Sequence, residues 1–150
     1  MFDFIWHLRG SVPLESIGSD ETVLDCVERL LERQQKAVNE RGADFVAFDD
    51  PLWRKPFGPS WLAMVIYDRG RFWIEQGVGG RTLRYDLRNL HGMVFCSFGA
   101  LMFFFFGLAG GGLLDGLKFA AGLFAWVYGM NILLARGRVP SAIRKAVRSA

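Results

Sequence analysis

The chain of 150 residues has room for one ordinary domain, or for a smaller domain and a membrane anchor. Half of it is hydrophobic and 15% is aromatic, too much for an average soluble domain and too little for a chain that lies in lipid throughout. The net charge of +3 is unevenly placed: all fifteen acidic residues lie at or before Asp115, where twelve Lys or Arg leave the chain formally at −3, and six bases with no acid follow, which excludes a uniformly basic nucleic-acid-binding surface.

The opening residues MFDFIWHLRG begin with an acid and hold only a short apolar run, so no secretory leader is expected and the N-terminus is expected to stay in the cytoplasm. DFIWHLRGSVPL predicts a first strand. Ser19 is the expected N-cap of a helix, with Asp20 and Glu21 suited to its positive end. Val23, Leu24, Val27, Leu30 and Leu31 then recur at helical spacing, and Asp25, Glu28, Arg29, Glu32 and Arg33 fill the opposite side.

KAVNERGADFVAFDD turns near Arg41-Gly42 and reads either as two short strands or as a helix exit and one strand. WLAMVIYD, apolar on both faces, is predicted as a central strand. Asp68-Arg69-Gly70 turns into RFWIEQG, and Gly79-Gly80 turns into RTLRYDLR, where Leu83, Tyr85 and Leu87 alternate with Arg84, Asp86 and Arg88. The expected fold of residues 1–89 is α+β: a small antiparallel sheet in the order β-α-β-β-β, with room for one extra strand, covered on one face by one amphipathic helix.

No formal charge stands between His91 and Asp115 or between Lys118 and Arg136. Each run supplies the roughly twenty apolar residues that a hydrocarbon core of about 30 Å requires. A transmembrane helical hairpin is therefore expected over residues 90–135, with spans at about 90–109 and 117–135, and residues 136–150 form a basic cytoplasmic tail. The glycines from Gly110 to Gly116 and Asp115 make the turn. Arg81, Arg84 and Arg88 precede the first span and Arg136, Arg138, Arg144, Lys145 and Arg148 follow the second, whereas the turn has Lys118, so both termini are expected in the cytoplasm and the turn outside. A buried hairpin in a soluble oligomer is the competing reading.

Small residues recur every fourth position in both runs: Gly92, Cys96 and Ala100, then Ala121, Ala125 and Gly129, the spacing that lets helix backbones approach. Asn131 is the most notable polar group inside a span. The loop DDPLWRKPFGPSW places Trp53, Arg54, Lys55, Phe57 and Trp61 together, a mixture suited to lipid headgroups or to a protein partner, or to folding back over the sheet. PSAIRKAVRSA predicts a short helix capped by Ser141, its bases against anionic lipid, or else a solvated tail.

Chemistry is thin. His7 and His91 are far apart, Asp49-Asp50 lacks a third acid at recognisable spacing, GVGGR reads as a hairpin turn, and GGGLLDGLK lacks the Gly-Lys-Ser/Thr of a phosphate loop. Cys26 and Cys96 belong to different parts of the chain, so neither a disulfide nor a zinc site is expected. No cofactor, metal, catalytic group or nucleic-acid partner is predicted. The sequence points to a multi-pass protein of the cytoplasmic (inner) membrane, an accessory or scaffolding subunit whose partner is another membrane protein or a second copy of itself. A membrane-anchored lipid- or small-ligand-sensing module is the alternative.

Overall fold

The computed structural model describes residues 6–14, 18–51 and 63–148. In chain order these form β1 (His7–Pro13), α1 (Asp20–Arg33), β2 (Val38–Arg41), β3 (Phe45–Asp49), β4 (Arg69–Gly77), β5 (Gly80–Arg88), α2 (Leu90–Gly111) and α3 (Leu113–Arg148). The strands make one sheet in the order β1-β5-β4-β3-β2, with every neighbouring pair antiparallel. The α+β class holds, and the extra strand comes from residues 38–49, which supply both β2 and β3.

Ser19 caps α1 as its side chain predicts, accepting from the Thr22 N–H at 3.3 Å. The helix lays Val23, Leu24, Val27 and Leu31 on the sheet face formed by Val46, Phe48, Phe72, Leu83 and Leu87. The opposite sheet face carries Arg71, Glu75 and Arg84 and stays open to solvent. Gly70 sits in register between Phe48 and Leu87, and a Cβ there would run into both side chains. Gly10 likewise lies opposite Tyr85, whose phenol ring crosses the place a side chain would take.

Two expectations are corrected. WLAMVIYD is not a central strand: residues 63–66 form a turn, although Met64 and Tyr67 are fully buried in the core. Its backbone bonds go elsewhere than to a sheet ladder, since the Met64 N–H donates to Gln34 Oε1 at 3.1 Å and the Ile66 carbonyl accepts from the Gly92 N–H at 3.2 Å. Ser141 does not begin a short helix, because α3 runs unbroken for 36 residues through Pro140. Proline removes one helical donor and crowds the preceding turn. Here Val139 and Ile143, on either side of it and both wholly buried, hold the helix against the sheet.

The end of α3 is thus a second cover for the sheet. Val139, Ile143, Ala146 and Val147 join the same hydrophobic core as α1, β3, β4 and β5. Full burial of a side chain of this size contributes roughly 1.5–3 kcal/mol. The other half of α3 pairs with α2 as an antiparallel hairpin joined at Gly112, whose φ of 90° belongs to glycine. Both helices are long and apolar enough to cross a membrane, and the most apolar stretches of α2 and α3 are only 17% and 6% buried. Phe95, Phe98, Phe105, Phe106, Phe119, Trp126 and Leu133 all face outward.

Candidate functional site

β5 passes into α2 through a single residue, Asn89, so whatever holds this joint fixes the sheet relative to the hairpin. Asp68, in the turn before β4, is only 3% exposed and serves both sides of it. One carboxylate oxygen accepts from Arg88 Nε at 2.8 Å, and the other accepts from the Leu90 N–H at 3.0 Å, in the first turn of α2. A carboxylate at that end complements the helix dipole and satisfies a donor the helix itself cannot. Beside it the Lys36 ammonium, 4% exposed, pairs with Asp50 at 2.7 Å and stands 5.9 Å from the centre of the Phe48 ring.

Backbone bonds draw the same groups together: the Asp50 N–H donates to the Asp68 carbonyl, and the Asp68 N–H to the Arg88 carbonyl. Asn89 Oδ1 and His91 Nε2 are buried at this joint without a hydrogen-bond partner among the described residues. The buried Lys36–Asp50 pair and the Asp68–Arg88 pair, whose carboxylate is buried and whose guanidinium is partly exposed, tie the ends of β3 and β5 to the start of α2. Among the described residues no three His, Cys, Asp or Glu side chains come together to hold a metal ion. Trp53, Arg54, Lys55, Phe57 and Trp61 lie outside the described residues, and the chain leaves toward them from Asp50-Pro51 and returns at Ala63, on this side of the sheet.

Tyr67, 1% exposed, is held well above the ordinary tyrosine pKa by burial first, and next by its neighbours Tyr85 and Tyr128. Burial also raises Tyr85, and the positive charge of Arg144 on α3 works in the opposite direction.

Within the hairpin the two small-residue stripes have different surroundings. Gly92, Cys96 and Ala100 are buried, with Gly107 continuing their line toward the turn. At that end the backbones nearly touch, since a Cβ on Gly107 would lie 2.7 Å from the Gly116 Cα and one on Gly116 2.8 Å from the Phe104 carbonyl oxygen. Ala121 and Ala125 face outward, and the space around Gly129 is open. The buried positions of α3 along the hairpin are instead Gly116 and Tyr128, with Phe124 stacked on Tyr128 at 5.2 Å between ring centres, and Ala135 already belongs to the sheet core. Asn131 turns its amide toward Cys96 Sγ at 3.9 Å, joining two residues singled out in the sequence for different reasons.

The predicted basic residues stand exposed on the last part of α3. There Arg136, Ser141, Arg144, Lys145 and Arg148, all exposed, border with Pro140 an open surface depression, or groove, of about 690 Å³. On the sheet, cations have partners: Arg9 with Asp86, Arg41 with Asp25 and Glu28, Arg69 with Asp49, Arg81 with Asp20, and Arg84 with Glu75. The bases along the groove face no carboxylate among the described residues, and the chain holds no acid after Asp115. Sequence spacing pointed to the charges. It gave no sign that one helix continuing through Pro140 carries them all. Comparison with protein families, with curated proteins and with solved structures finds nothing that matches this chain.

Proposed function

We propose that this is a two-span protein of the cytoplasmic membrane, with both termini on the cytoplasmic side, that acts as an accessory or scaffolding subunit of a larger membrane assembly. One observation carries the reading: a single helix, α3, turns Leu117, Phe119, Trp126 and Leu133 outward along its first part and Val139, Ile143 and Val147 inward along its last. A helix of a soluble core keeps its apolar face inward throughout. The first 23 residues of α3 rise about 34 Å, enough for a hydrocarbon core of about 30 Å.

An accessory role is supported by how the sheet domain is mounted. Asp68, Arg88 and the α3 core residues fix it at both cytoplasmic ends of the hairpin, so it presents its surfaces at a set height and angle to a neighbour. Reporter fusions at residues 1, 112 and 150 test the topology, and only the middle site should report from outside. Crosslinking in native membranes followed by mild-detergent purification tests the role. Recovery of the chain alone, as a monomer, would defeat the accessory-subunit reading. The second reading, a lipid- or ligand-sensing module, is favoured by the open groove beside Arg136 and Arg144.

A further inference from the structure

Taking the membrane-crossing reading above as the basis, we propose that the basic groove of α3 is the docking site for an extended acidic segment of a neighbouring protein, lying along the helix and leading away from the bilayer. Arg136 is the first charge after the apolar run, and Arg144 and Arg148, one turn apart on one helix face, follow it with Ser141 and Lys145 beside them. At the rise of an α-helix they stand about 12 and about 18 Å further along the axis. The headgroup layer is only about 5–8 Å deep on each side. Even at a tilt of about 40°, the upper end for membrane helices, Arg148 stands about 14 Å above the level of Arg136. Lipid headgroups therefore reach the first turn of the groove and not its far end.

Nor can the segment swing down onto the bilayer. Its other face places Val139, Ile143 and Val147 in the sheet core, each at most 1% exposed, and lowering the helix would strip that core open. What fits is an anion with length. Side chains on one face of an extended peptide repeat every 6–7 Å or so, and positions four apart on a helix repeat every 6 Å or so. Alternate acids on such a peptide can meet Arg144 and Arg148 in step, with the Ser141 hydroxyl on the same side. No carboxylate among the described residues pairs with these charges, which suits them to the acids of a partner.

The test uses the full chain in nanodiscs of uncharged phosphatidylcholine and a fluorescein-labelled twelve-residue peptide of alternating Glu and Ser. Saturable binding that weakens at least about tenfold between about 0.05 and 0.5 M salt is expected. The double variant Arg144→Glu, Arg148→Glu should lose at least about tenfold in affinity, and Arg138→Glu, outside the groove lining, less than about threefold. Both exchanged side chains are exposed, and protease resistance of the sheet domain checks that the variant stays folded. Absence of saturable binding, or equal binding by the double variant, overturns the proposal. So does retention of phosphatidylglycerol by the wild type and not by the double variant with the peptide ignored, which would make anionic lipid the occupant. Insertion is read separately: release of the full chain from membranes by carbonate would defeat the membrane-crossing reading whatever the peptide does.

Discussion

The two parts of α3 wear their apolar residues on opposite sides. Up to Ala135 bulky side chains such as Phe119, Trp126 and Leu133 point away from the protein while Gly116 and Tyr128 are buried; beyond it the apolar residues point into the sheet and the charged ones away. The backbone is the same continuous helix, so the difference lies in what each part has as surroundings. Hydrophobicity along a helix thus identifies its apolar side and not what that side meets, which can be lipid or the protein's own core.

The sharpest way to break the comparison is to put a charge on the inward side of the second part. Ile143→Asp should destabilise the sheet domain by on the order of 4 kcal/mol, since the site is wholly buried without a partner for the carboxylate. Limited proteolysis should then degrade the sheet while carbonate leaves the hairpin in the membrane; loss of both together would mean that the two parts are not separable. Asp68→Ala should cost about 1–3 kcal/mol, because it leaves an N–H of α2 unpaired and releases the partly exposed Arg88. Its readout is hydrogen exchange at Leu90 and neighbouring amides.

Smaller effects test the first part and the joint. Gly116→Ala should cost about 1–3 kcal/mol by forcing the hairpin apart at the Phe104 carbonyl, seen as a lower thermal midpoint in detergent. Tyr67 provides a pH test. Its folded pKa is raised, so its contribution to stability is intact below the ordinary value of 10.0 and is lost as pH rises above it, because the unfolded chain ionises first. The denaturation midpoint should fall above about pH 10, and Tyr67→Phe should flatten that fall. Lys118→Met should change stability by less than about 0.5 kcal/mol, since its pairing with Asp115 at 3.5 Å is exposed.

Where local chemistry determines structure, the sequence was readable. Ser19 and the spacing of Val23, Val27 and Leu31 marked α1, and the alternation from Leu83 to Leu87 marked β5 and its buried face. WLAMVIYD was misread because a short apolar run carries no period, and its burial comes from docking Met64 and Tyr67 beneath other elements. The spacing of Ile143, Ala146 and Val147 was visible as one apolar side, yet its partner is the sheet more than fifty residues earlier. The joint at Asp68 was not visible, since Asp68, Arg88 and Leu90 meet only after the strands have paired.

The closure of the sheet by α3 also sets an order of events during synthesis. All five strands leave the ribosome before the apolar hairpin, and the helix that covers part of their core follows it. Until Val139 to Val147 emerge, the sheet has only α1 as cover, so part of its core stays open until the last helix has been made. Completion of the domain is therefore the last folding event: a chain cut short before Val139 leaves its sheet partly uncovered and open to proteases.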